Sequence, residues 1–260
     1  MMNIDSHQEF SRRVRNRQEM LGAFCSAPCP ELVEIAAFAG FDFAVIDAEH
    51  GPIAIGDIAH MVRAGHAAGM PVMARIPASS LDMIPRALDL GIDGILAPQI
   101  DTAQEAAAVV AATRYPPSGN RGVAFYTRAH RFTKDTGPEA IERADERIVV
   151  GVMVESERGV QNADAIMSVP GVDMVLVGPN DLAASIGYAT DTQRLVDEAV
   201  ALVGKAGLRH RIATAIAAQS PESAISFLDQ GYSIVVTGLL PPLLRVSTAF
   251  VRETRSRSSR

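Results

Sequence analysis

The chain is poor in cysteine. Its 260 residues contain two, Cys25 and Cys29, and no other thiol is present to complete a zinc site. The pair reads as small reduced side chains near a first strand end, not as a disulfide. Uninterrupted apolar runs are also scarce. None approaches the roughly 20 residues of a membrane span, and the polar N-terminus has no apolar signal-peptide core. These absences lead to the expectation of a cytoplasmic protein with no membrane partner. An excess of positive charge is missing too. A net charge of −6 provides no field for nucleic acid or an anionic lipid surface. The basic ends, Arg12-Arg13-Val14-Arg15 and residues 255–260, read as solvated termini. No glycine-rich phosphate loop occurs, and Thr237-Gly238 is too thin a signal for a phosphate site. No lysine stands at a strand end, since Lys134 falls in a loop and Lys205 in a helix. Schiff-base catalysis is therefore disfavoured.

What is present is a rhythm. Apolar content is 48% and charged content 21%, ordinary for a globular chain of this length. After an N-terminal helix around residues 10–17, short apolar runs at 20–24, 43–46, 71–74 and 94–97 read as buried strands. Each is followed by a helical pattern, at 30–39, 55–68, 81–90 and 102–113. Gly40, Gly69 and Gly91 close the first three of these helices. Such alternation predicts a parallel sheet. The rhythm breaks across residues 115–147, an irregular excursion with a short helix expected near 143–147. A long loop of this kind serves function or oligomer contact. Strands then resume at 148–154, 172–177, 211–215 and 233–236. Helices are expected at 160–167, 181–186, 193–206 (closed by Gly207), 221–230 and 240–251. Eight strand–helix units predict a (β/α)8 TIM barrel occupying residues 1–260 as one domain.

In such barrels the chemistry sits where strands end and βα loops begin. Asp47, Glu49 and His50 follow the second strand, Arg75 the third and Gln99 the fourth. Glu155 ends the fifth, and Asn180 and Asp181 follow the sixth. Glu155 and Asp181 are candidate ligands for a divalent metal, because two carboxylates plus waters and substrate oxygens suit Mg²⁺ or Mn²⁺. The alternative is a helix cap for Asp181 and an ion pair for Glu155. Arg75 is either an anion clamp or the partner of Asp47 or Glu49 in an ion pair. His50 is the candidate acid/base. His60, His66, His130 and His210 show no paired spacing and are expected to carry no function.

Five stretches resemble one family. They are Phe41-Asp42-Phe43-Ala44-Val45-Ile46-Asp47-Ala48-Glu49-His50-Gly51-Pro52, Ala74-Arg75-Ile76-Pro77, Tyr115-Pro116-Pro117-Ser118-Gly119-Asn120-Arg121-Gly122, Val154-Glu155 and Val177-Gly178-Pro179-Asn180-Asp181-Leu182. Together they are similar to the HpcH/HpaI aldolases, class II metal-dependent aldolases acting on pyruvate or a related 2-oxo acid and an aldehyde. The resemblance implies a divalent metal (Mg²⁺, Mn²⁺ or Co²⁺) on Glu155 and Asp181. It places Arg75 at the keto oxygen and backbone amides near Asn180 and Asp181 at the carboxylate. His50 becomes the acid/base, oriented by Asp89, which otherwise is simply a helix C-terminal residue. Phe24 would border the aldehyde pocket and Gln99 joins the substrate-contacting set, with Asp47 and Glu49 in support. The family pattern also implies a homo-oligomer, trimer or hexamer, with exchange of the last helix, and residues 239–250 are apolar enough for that.

Two departures stand out. The family often carries Gln two residues before the metal-binding Glu, where this chain has Met153. After Arg121-Gly122 the loop reads Val123-Ala124-Phe125-Tyr126-Thr127-Arg128 in place of small residues. Arg121 and Arg128 are expected to favour an acidic acceptor. Two other readings compete with the aldolase: a citrate-forming condensing enzyme of the siderophore type from the same superfamily, and a non-catalytic barrel acting as a binding module.

Overall fold

The computed structural model describes residues 4–188 and 190–256. Helix α1 (Ile4–Arg15) precedes β1 (Met20–Cys25), α2 (Pro30–Ala39), β2 (Phe43–Asp47), α3 (Ile55–Ala67), β3 (Val72–Arg75), α4 (Met83–Asp89), β4 (Gly94–Ala97) and α5 (Ala103–Thr113). A 3₁₀ turn at Arg128–His130 and α6 (Pro138–Arg147) occupy the excursion. Next come β5 (Val149–Val154), α7 (Glu157–Gln161), α8 (Ala163–Met167), β6 (Met174–Val177), α9 (Pro179–Ile186), α10 (Thr192–His210), β7 (Ala213–Ala217), α11 (Pro221–Asp229), β8 (Ile234–Gly238) and α12 (Leu240–Ser256). The strands pair in parallel in chain order, and β1 closes on β8. This is the expected (β/α)8 barrel.

The strands are apolar on both faces because both faces are covered. Phe43, Val45, Met73, Leu96, Met153, Met174, Leu176, Ile234 and Val236 fill the barrel axis. Intervening residues such as Ile46, Ala74, Ile95, Val152 and Val175 face the helices. Helix α1 plugs the N-terminal end of the barrel, with the Phe10 ring 5.3 Å from that of Phe43. The opposite, C-terminal end is left for the βα loops.

Several expected elements differ: α1 spans Ile4–Arg15 where 10–17 was expected, and β7 is shifted two residues on, to Ala213–Ala217. Gly207 does not end α10, which runs on to His210. A Cβ at Gly207 would come within 2.2 Å of Thr214 Cγ2, so the glycine serves close helix-to-strand approach, not termination. The helix expected at 160–167 is two helices, α7 and α8, parted at Asn162, whose amide donates to the Asp101 carbonyl at 2.8 Å. Helix α6 is longer than the short segment expected, opening on Pro138. Cys25 and Cys29 are both free, and burial, then the neighbouring Cys29, push the Cys25 thiol up to about 12. Among the described residues no helix is long and apolar enough to cross a membrane. Residues 257–260 of the basic C-terminus lie outside the described residues.

Candidate active site

The C-terminal mouth of the barrel gathers most of the expected residues. Glu49, His50, Gln99, Glu155 and Asp181 line one cleft of about 240 Å³, together with Asp101 and Ser156. Phe24 and Asn180 line an adjoining recess of about 360 Å³ with Gln219, Thr237 and Arg245. Beneath the cleft lie Asp47 and Arg75, both buried.

Asp47 ends β2 directly beside Arg75 at the end of β3, because the register pairs the two residues across the parallel ladder. Arg75 Nε donates to Asp47 Oδ1 at 2.9 Å and Nη2 to Oδ2 at 2.7 Å. Ser26 Oγ and the His50 backbone N–H also donate to this carboxylate. Burial works against ionisation of Asp47. The Arg75 hydrogen bonds and charge, with those smaller donors, outweigh it and hold the acid below its usual pKa. The ion pair foreseen as an alternative for Arg75 is therefore formed. Its third nitrogen, Nη1, stays turned toward the cleft, 3.4 Å from Glu49 Oε2 and 3.9 Å from the Met153 sulfur. The Phe24 ring lies 5.0 Å under the guanidinium carbon, so Arg75 is held by packing as well as charge.

Glu155 is 7% exposed. Its Oε1 accepts the Gln99 backbone N–H at 2.7 Å, and Gln99 sits in the left-handed region at φ 56 to deliver it. The Gln99 side chain in turn donates to Glu49 Oε1 at 3.5 Å. Burial first, then the charges of Asp181 and Glu49, push the Glu155 carboxyl up to about 7. Glu49 is raised in the same way, by burial and then by Asp47 and Asp181. Asp181 lies in the first turn of α9, whose N-terminal N–H groups face the mouth.

The cleft therefore holds four acids, Glu49, Asp101, Glu155 and Asp181, and the arginine beneath it, Arg75, is already paired. A divalent cation would relieve this excess, and an all-oxygen donor set fits a hard ion. Among the described residues no group of three or more His, Cys, Asp or Glu side chains is arranged to hold a metal by itself. Glu155 and Asp181 would leave the remaining coordination positions to water and substrate oxygens.

Asp89 is not at this mouth. It ends α4 at the opposite end of the barrel, where its carboxylate accepts Arg121 Nη2 at 2.8 Å. Among the described residues no hydrogen bond or ion pair joins it to His50, whose side chain is 62% exposed with Nε2 3.8 Å from Glu49 Oε2. The expectation for Arg121 and Arg128 also needs correcting. Arg121 is buried against the Tyr115 ring, 4.5 Å from its centre, and Arg128 packs on Gly91. Neither reaches this chain's own mouth. Sequence reasoning missed Ser26, Asp101 and Ser156. Asp101 and Ser156 stand two residues after Gln99 and one after Glu155, at the same strand ends, and that adjacency was a usable signal.

The chain is similar to known proteins over most of its length. Residues 20–240 match the model of the family described as HpcH/HpaI aldolase/citrate lyase. The chain is 36% identical to a 2-keto-3-deoxy-L-rhamnonate aldolase of Salmonella typhi over 245 residues, covering 92% of this chain and 89% of the relative. It is 33% identical to a hydroxypyruvate/pyruvate aldolase of Cupriavidus necator, covering 91% and 88%. The crystal structure of a family member from Burkholderia cenocepacia superposes with a TM-score of 0.89 at 35% identity, over 95% of this chain and 99% of that one.

Proposed function

Because the chain belongs to the HpcH/HpaI aldolase/citrate lyase family, we propose that its barrel mouth joins or splits the enolate of pyruvate, or a related 2-oxo acid, and an aldehyde. The protein is a carbon–carbon lyase, and the family is generally dependent on a divalent metal. The observation that supports this reading best is the acid-rich cleft, in which burial and neighbouring carboxylates push Glu155 up to about 7.

Glu155 and Asp181 would hold Mg²⁺, Mn²⁺ or Co²⁺, which supplies Lewis acidity toward substrate oxygens. In the cleavage direction His50 takes the proton of the C4 hydroxyl. The C3–C4 bond breaks and its electron pair becomes the C2–C3 double bond of the enolate. The aldehyde departs, and protonation at C3 gives the 2-oxo acid. Arg75 Nη1, the donor that Asp47 leaves unused, steadies the charge growing on the C2 oxygen. The first N–H groups of α9, near Asn180 and Asp181, receive the carboxylate. The recess beside Phe24 and Asn180 takes the remainder of the aldehyde partner.

The protein is proposed to work as a homo-oligomer, a trimer or hexamer. Helix α12 has no buried residue, and Leu243, Leu244, Val246 and Phe250 are exposed along it. Unpartnered apolar surface of that extent asks for a second chain. Asp89 gives the same indication, because it can orient a His50 only if that histidine belongs to another copy.

The test is exchange of pyruvate methyl protons with solvent, followed by NMR. Exchange should require Mg²⁺, Mn²⁺ or Co²⁺ and stop with EDTA. Absence of exchange with every metal would sink the aldolase reading.

A further inference from the structure

A second polar cavity, of about 90 Å³, lies at the N-terminal end of the barrel, remote from the mouth. Its wall is built from the end of α3 (His66), the turn before β4 (Gly91), the 3₁₀ turn (Arg128, His130) and the C-terminal half of α6 (Arg143, Arg147). Among the described residues four guanidiniums line it, those of Arg128, Arg131, Arg143 and Arg147, against one carboxylate, Asp135. That carboxylate is already consumed by a two-pronged pair with Arg131.

The arginines are positioned, not scattered. Asp93 Oδ2 accepts from His66 Nε2 at 2.9 Å, and His66 Nδ1 accepts from Arg128 Nη2 at 3.3 Å. Burial, then the charges of Arg63 and Arg147, lower the Arg128 pKa. The buried Nε of Arg147 has no hydrogen-bond partner among the described residues. A buried donor left unpaired, within a group of like charges that repel one another, costs stability. A multiply charged acceptor in the cavity would remove both costs.

We propose that this cavity is a binding site for a small oxyanion, a phosphate or the phosphate head of a phosphomonoester. Guanidinium forks match such oxygens in bidentate geometry. The cavity has space for several waters or one oxyanion head, and its half-open wall would let an organic tail extend into solvent. The site shares no residue with the acid-rich cleft, so it stands whether or not the aldolase reading does.

The experiment follows melting temperature and calorimetric binding of the full-length protein in EDTA. Inorganic phosphate and glycerol phosphate are titrated separately against sodium chloride of equal ionic strength. Either anion should raise the melting temperature saturably while chloride does not. Binding of inorganic phosphate assigns the free ion, and binding of glycerol phosphate alone assigns the ester. Arg147→Gln should raise the anion-free melting temperature, because one repelling charge is gone, yet weaken anion binding by roughly tenfold. The exposed Arg143→Gln should weaken binding with no effect on folding. Glu155→Gln, at the mouth, should leave binding unchanged. Three results would each overturn the proposal: no saturable effect of either anion, an undiminished response in both arginine variants, or dissociation of the oligomer by Arg147→Gln, which would make the cluster a subunit contact.

Discussion

Asp47 holds Arg75 by both carboxylate oxygens, at 2.9 and 2.7 Å, and leaves one guanidinium nitrogen for the cleft. The pair is buried, so its value lies in orientation more than in net stability. Asp47→Asn keeps the shape and removes the charge that aligns the fork. Turnover should fall by about 10- to 100-fold, the usual range for an orienting partner. Circular dichroism should remain unchanged. Full turnover in this variant would remove Asp47 from the machinery.

Arg75→Lys asks whether the fork matters or only the positive charge. A lysine cannot satisfy both Asp47 oxygens and also present a donor to the cleft. Pyruvate proton exchange should drop by about 100-fold or more, the cost of losing a donor aimed at a developing oxyanion. Metal-linked stabilisation should persist, because Arg75 holds no metal in this arrangement. A differential scanning measurement with and without Mg²⁺ separates the two effects.

Glu155 gives a pH dependence with a defined sign. Its pKa is raised from the ordinary 4.5 to about 7. Between those values the folded, metal-free chain keeps a proton that the unfolded chain has released. Stability should therefore fall as pH rises through this window, by at most roughly 3 kcal/mol, and level off above it. A metal must displace that proton, so its apparent affinity should climb with pH up to about 7. Glu155→Gln should flatten both profiles and abolish stabilisation by Mg²⁺. A metal-free melting temperature that rises across this window would contradict the assignment.

The barrel was legible because eight apolar runs each led into a helical pattern, with polar residues after the second to the sixth, and strand-end position is topology. The mouth was legible for the same reason. What sequence could not supply was the partner of each group. Arg75 was expected either to clamp an anion or to pair with an acid; the β2–β3 register sets it beside Asp47, and its third nitrogen, free of Asp47, faces Glu49 at the cleft. Gln99 was expected among the substrate contacts; its backbone N–H, presented at positive φ, holds Glu155, and its side chain reaches Glu49. His66 was dismissed for lack of a spaced partner, and its partners Asp93 and Arg128 come from distant segments. Asp89 was given to His50, whereas one chain folds it against Arg121.

Asp89 leads to a prediction about assembly. If it serves a His50 of another copy, His50→Ala and Asp89→Ala should each be impaired alone. Mixed and reassembled one to one, the two variants should recover roughly a quarter of wild-type activity, because one site in four then receives both intact groups in a symmetric oligomer. Activity that stays at the level of the single variants after mixing, with subunit exchange verified by mass spectrometry, would remove Asp89 from catalysis.

Gly178 tests the Glu155 geometry without touching a polar group. It precedes α9 at φ −99, a conformation that alanine adopts freely. Backbone strain therefore does not explain a glycine here. Space does: a Cβ at this position would lie 2.9 Å from Glu155 Oε2 and 3.2 Å from Glu155 Cβ. Gly178→Ala must push the carboxylate aside, and the Gln99 N–H bond at 2.7 Å restrains it on the other oxygen. The displacement should weaken Mg²⁺ binding by about tenfold, as for loss of a supporting partner at a metal site, while the circular dichroism spectrum stays unchanged. Adding Glu155→Asp to Gly178→Ala withdraws the carboxylate by one methylene. That double variant should recover part of the lost affinity if crowding is the cause. Equal Mg²⁺ affinity in Gly178→Ala and wild type, by calorimetry, would show that Glu155 does not need this space to bind metal.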